Sequence, residues 1–140
     1  MPQTYRHLGV HFLYPDNWRI TDEQATTPPF SVALETPQGG LWLLQIHRDG
    51  DPHELAAEAL ATMRQEYPQL EADSLVDQLE GHDLTGFEMR FYYLDFVIMA
   101  RIVSVRRGDQ TLVVLCQAED RDFTRLDPIF QAILISLLRD

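Results

Sequence analysis

The chain has 140 residues, is 45% apolar and carries a formal charge of -11. That length suits one domain with its own core, and the negative charge repels phosphate backbones and anionic lipid, so neither nucleic acid nor a membrane is expected as a partner. All eleven basic residues are arginine, which excludes the mechanisms that need a lysine: the Walker phosphate loop, pyridoxal phosphate and Schiff-base catalysis.

The first ten residues hold neither a basic segment leading into an apolar run nor a lipidated cysteine, which predicts a cytoplasmic protein. Residues 5–8 and 10–14 alternate as strands, with Leu8, Val10, Phe12 and Tyr14 sharing the parity expected to face the core. Pro15-Asp16-Asn17 is a turn signal, and a third strand is expected from Trp18. Residues 31–36 alternate again. Residues 40–48 are apolar on both parities around Trp42, as an inner strand requires.

Asp51-Pro52-His53-Glu54 starts a helix: an N-cap acid, proline at the first helical position and glutamate at the third. Ala56, Ala59, Leu60, Met63 and Tyr67 recur on its expected inner face, and Pro68 stops it. Residues 51–82 hold eight acids against Arg64 alone, the pattern of a solvated face. Period two then returns over residues 74–80, 84–94, 96–106 and 110–118, joined by turns short enough for consecutive antiparallel hairpins. Leu126, Phe130, Ile133, Leu134 and Leu137 form one stripe of a closing helix, with Asp127-Pro128 as an expected cap pair and Asp122 as an earlier alternative start. This order predicts one α+β domain over residues 1–140, a mainly antiparallel sheet flanked by helices on both faces, an α/β/α sandwich.

Phe12-Leu-Tyr-Pro15 followed by Trp18, the mid-chain helix, the three-stranded meander and the ending Phe130-x-x-Ile133-Leu134-x-Ser136-Leu137 resemble the PsbP and Mog-type superfamily over nearly the whole chain. The resemblance implies that fold, and it implies binding to other proteins rather than catalysis, with bacterial DcrB-like proteins and Eag-type chaperones as its nearest analogues.

Candidate sites are few. His7 and His11 lie too far apart to share an ion on one continuous strand and meet only if Gly9 turns the chain. Glu119, Asp120 and Asp122 offer oxygen ligands for a divalent cation where the last strand meets the closing helix, or simply complement that helix's dipole. The four serines lack a nucleophile elbow, and no glycine spacing suits a dinucleotide, so no cofactor is expected. Cys116 lies in an apolar run and reads as core.

Binding surfaces are better supported. Trp42, Arg90, Tyr92, Arg101, Arg106 and Arg107 belong to the residue types that dominate interface energetics. Arg101 interrupts the apolar parity of Val97, Met99, Val103 and Val105, so it marks either the edge of a covered face or a paired charge inside an interface. The expectation is a non-enzymatic adaptor or chaperone that holds a protein partner, with a homodimer as one form it can take. The alternative is a small-ligand or metal-binding domain, or an enzyme with an unrecognised site, built in a cleft between sheet and helix.

Overall fold

The chain begins with β1 (Gln3–His7) and β2 (Val10–Tyr14), an antiparallel hairpin turned by Leu8 and Gly9 at positive φ of 58° and 78°. The computed structural model describes residues 1–139. Three strands follow: β3 (Arg19–Gln24), β4 (Phe30–Glu35) and β5 (Leu41–His47). Helix α1 (Pro52–Glu66) then carries the chain across to β6 (Glu71–Leu79), and β7 (His82–Tyr93), β8 (Phe96–Arg107) and β9 (Gln110–Glu119) return it strand by strand. These seven strands form one antiparallel sheet in the order β3-β4-β5-β9-β8-β7-β6. Helix α2 (Asp120–Arg139) closes the fold.

The cap predicted for α1 is present, with Asp51 Oδ2 accepting from the Glu54 backbone N–H at 3.0 Å. The closing helix starts close to the alternative at Asp122 and not at Asp127-Pro128. It begins at Asp120 and runs through Pro128, because Asp120 and Asp122 already occupy its first turn and Asp127 is turned to another task.

The helices take opposite faces. Under α2 and the β1–β2 hairpin lies the larger core, which includes Phe12, Trp42, Leu44, Val105 and Leu112. The residues of the Phe-Leu-Tyr-Pro-Trp opening and of the closing helix meet here: Trp18 packs edge-on against Phe130 at 5.6 Å, and Ser136 Oγ accepts the Leu13 N–H at 3.0 Å while donating to Ile133 O. The smaller core, including Leu60, Met89 and Ile102, lies under α1. That helix packs on β7, β8 and β9 and leaves the same face of β4 and β5 open beside it.

The two sheet edges differ. β3 is six residues long and broken by a bulge between Ile20 and Asp22, whereas β6 runs nine residues in unbroken register on β7 and carries Glu71, Asp73 and Asp77.

Candidate functional site

The interface residues expected from the sequence separate into three places. Trp42 is wholly buried, its ring 4.9 Å from that of Phe12 and tilted 51° to it, and presents no atom to a partner; its indole N–H has no acceptor among the described residues. Arg101 is likewise only 8% exposed. Its guanidinium makes a two-pronged pair with Asp127, Nη1 to Oδ1 at 2.7 Å and Nη2 to Oδ2 at 3.2 Å, and lies 5.3 Å from the Phe123 ring. Burial works against that charge, but the Asp127 hydrogen bonds reverse the effect and hold the guanidinium above its ordinary pKa. Arg101 is a paired charge, but it is paired within the chain and not in an interface. Both residues are corrections to the expected binding surface.

Arg106 and Arg107 end β8. Arg106 donates to Gly108 O at 3.2 Å and reaches Asp49 and Gly50, so it clamps the loop before α1, helped by Thr111 Oγ1 donating to Gly50 O at 2.7 Å. Phe96, at the other end of the same strand, is about 36 Å away at the rise of an extended chain. Only Arg90 and Tyr92 come together, two positions apart and both exposed on one side of β7.

The acids at the strand-helix junction do not converge. Arg121 pairs with Glu119 at 2.8 Å and Arg125 with Asp122 at 3.2 Å, and no group of three metal-ligating side chains forms among the described residues. Gly9 does turn the chain, yet His7 meets Glu23 at 3.2 Å while His11 meets Arg6 at 3.3 Å. Glu23 also accepts from the Tyr5 hydroxyl; this bond, then that from His7, holds its carboxyl below the usual range. Burial pushes the Cys116 thiol up to about 12, so it stays protonated and unreactive.

A surface that residue type alone did not single out is the tip of the β7–β8 hairpin. β7 and β8 outrun both neighbours: β6 begins opposite Arg90, and β9 ends opposite Ile98. Beyond those positions Tyr92, Tyr93, Leu94 and Phe96 are 68%, 53%, 78% and 44% exposed. Tyr92 pairs across the hairpin with Val97 and Tyr93 with Phe96, which puts apolar side chains on both faces of the projection. Tyr67, after α1, stacks on Phe91 at 4.1 Å and meets Tyr93 edge-on at 6.4 Å, so the base of the tip is braced. At its apex Leu94 has φ 55°, a conformation that favours glycine or asparagine and strains a branched side chain.

The second concave feature is a groove of about 240 Å³ between α1 and the open part of the sheet. Leu43, Val113 and Leu115 line its sheet side, and Leu55, Ala59 and Met63 its helix side. Polar groups gather at one margin: Gln45, His47 and Glu58, with His47 Nε2 lying 3.3 Å from Gln45 Oε1. Burial lowers the His47 pKa, against an opposing pull from Glu58, so the imidazole is neutral at neutral pH.

Neither a family profile nor a curated protein sequence matches the chain. Solved structures do resemble it. Cyanobacterial PsbP (CyanoP) from Synechocystis superposes with a TM-score of 0.72 at 15% identity, over 96% of this chain and 90% of that one. LpqN from Mycobacterium tuberculosis, involved in cell envelope biogenesis, gives 0.59 at 13% identity over 95% and 87%. PA94, a protein of unknown function from Pseudomonas aeruginosa, gives 0.57 at 14% identity over 97% and 95%. At such identities the likeness speaks to architecture alone: the chain has the PsbP-like fold, an α+β sandwich built on a mainly antiparallel sheet.

Proposed function

We propose that this chain is a non-enzymatic protein-binding domain, adaptor or chaperone in role, that docks a partner protein through the projecting β7–β8 tip. The observation that carries the reading is the exposure of Tyr92, Tyr93, Leu94 and Phe96 together on a braced hairpin. Aromatic side chains that project from a rigid base lose little conformational freedom on binding and supply large contact area. Leu94 has the left-handed backbone that Leu8 and Glu80 also adopt at other hairpin turns, so asparagine there suits the turn while removing an exposed apolar side chain from the tip. Arg90, exposed on the same side of β7 as Tyr92, supplies a polar contact at the margin. The non-enzymatic half rests on two groups: the Cys116 thiol is buried and protonated, and Arg101 is committed to Asp127, so both serve structure beneath α2.

The test is affinity purification from the native cell with the wild type and two tip variants, Leu94→Asn and Tyr92→Ser, scored by mass spectrometry. The wild type is expected to retain a stoichiometric protein partner. Truncating a central aromatic anchor costs about 2 kcal/mol or more, roughly thirtyfold in affinity, so Tyr92→Ser should lose it. Leu94→Asn should lose it too while folding as well as or better than the wild type, by about 1 kcal/mol in urea unfolding. Equal recovery by all three proteins would remove the tip from the reading.

A further inference from the structure

We propose that the groove between α1 and β5 is a binding site for a short aliphatic amine, its hydrocarbon body on Leu43, Leu115 and Met63 and its ammonium group at Glu58. The body is argued from α1. That helix buries Ala56 and Leu60 in the core and carries a second apolar stripe, Leu55, Ala59 and Met63, which packs against that core yet stays half-buried along the groove wall. Opposite lie Leu43 and Leu115, neighbours across the β5–β9 pairing and also only half-buried. Ala59, the small residue in the middle of the wall, leaves the room between them. At about 240 Å³ the groove is below the roughly 300–1,000 Å³ typical of sites for drug-sized ligands, so it suits a short chain.

The head is argued from charge. Glu58 is the one charged residue among those lining the groove, and no arginine pairs with it among the described residues. No arginine lines the groove either, so a carboxylate or phosphate head finds no counter-ion there and meets Glu58 instead. An ammonium group finds a carboxylate, with the Gln45 and His47 side chains at the same margin to take further hydrogen bonds. This site is separate from the hairpin tip, and neither proposal depends on the other.

The experiment is a two-dimensional amide NMR titration of the full chain with n-hexylamine, with n-hexanol and hexanoate as comparators of equal body. The amine is expected to give saturable shifts at Leu43, Ala59 and Leu115 with a dissociation constant in the millimolar range, the alcohol to bind about fivefold more weakly, and hexanoate to leave those amides unmoved. Glu58→Gln should bring the amine down to the affinity of the alcohol. Ala59→Leu, which keeps a strong helix former at that position, should fill the groove and abolish binding of both. Hexanoate binding as well as the amine, an unchanged affinity in Glu58→Gln, or shifts that persist in Ala59→Leu would each overturn the assignment, as would an amine titration that does not saturate.

Discussion

The two faces of the sheet are covered by different means. On one, α2 and the β1–β2 hairpin together seal a core that holds 23 of the buried side chains among the described residues, both tryptophans included. On the other, the core under α1 holds eight, two of them from the helix itself, and the half-buried Leu41 and Leu43 of β5 stay open beside it. The sealed face is closed with rings and an internal ion pair, and the open face stops short of closure. On the groove proposal, a change to the sealed face should be felt in folding, and a change to the open face in ligand binding.

The sharpest way to break that division is Trp42→Ala. A buried tryptophan between Phe12 and the sheet should cost about 3–5 kcal/mol in urea unfolding, enough to unfold a marginal domain. Next comes Arg101→Met. It leaves the Asp127 carboxylate without its partner under α2, and because that carboxylate is a third exposed and can rehydrate, the loss should be about 2–3 kcal/mol. The double variant Arg101→Met/Asp127→Leu should return to within about 1 kcal/mol of the wild type, since an apolar pair of similar volume strands no buried charge, and Glu88, 3.5 Å from Arg101 Nε, is exposed enough to rehydrate. A double variant as unstable as the single one would mean that the pair is required for the fold itself.

Leu43→Ser, on the open face, should cost less than about 1 kcal/mol while weakening hexylamine binding, which separates the two roles within a single side chain. The smallest effect concerns the seam where the β1–β2 hairpin meets β3. The Glu23 carboxyl is held below its ordinary pKa by the Tyr5 hydroxyl and then His7. Its contribution is therefore present above the unfolded carboxylate pKa and is lost as pH falls through the folded one. Stability measured from pH 7 down to pH 3 should decline less steeply in Glu23→Gln than in the wild type; identical profiles would remove Glu23 from the acid response.

Much of the architecture was legible because its signals are local. Strand alternation, the Asp51 cap and the hairpin turns are each encoded within a few residues, and the covers on both faces follow from the strand of residues 112–115 being apolar on both parities. Where the reading failed, the deciding partner was distant in sequence. Asp127-Pro128 looks like a helix start, but Asp127 is engaged by Arg101 from β8 and the helix passes through it. Trp42 and Arg101 are residue types shared by interfaces and cores, and only packing separates the two. A cleft between sheet and helix was the alternative expectation, but its residues were not legible: Ala59 and Met63 share the spacing of a buried face, and what leaves them half-exposed is the sideways placement of α1 over β7–β9. The tip was half legible, since Tyr92 was singled out by type while its projection depends on where β6 begins and β9 ends.

The unbroken edge of β6 has a colloidal consequence. Nine residues of open backbone are a template onto which a second copy can zip, which is how ordered aggregates begin. Antiparallel pairing of two such edges brings the Glu71, Asp73 and Asp77 carboxylates of both copies into one ladder with strands about 4.8 Å apart. Their mutual repulsion opposes that pairing, a charge guard of the kind sheet edges carry. Salt screens the repulsion without altering the strand, so a preparation that stays clear at low ionic strength meets its aggregation hazard as salt is added.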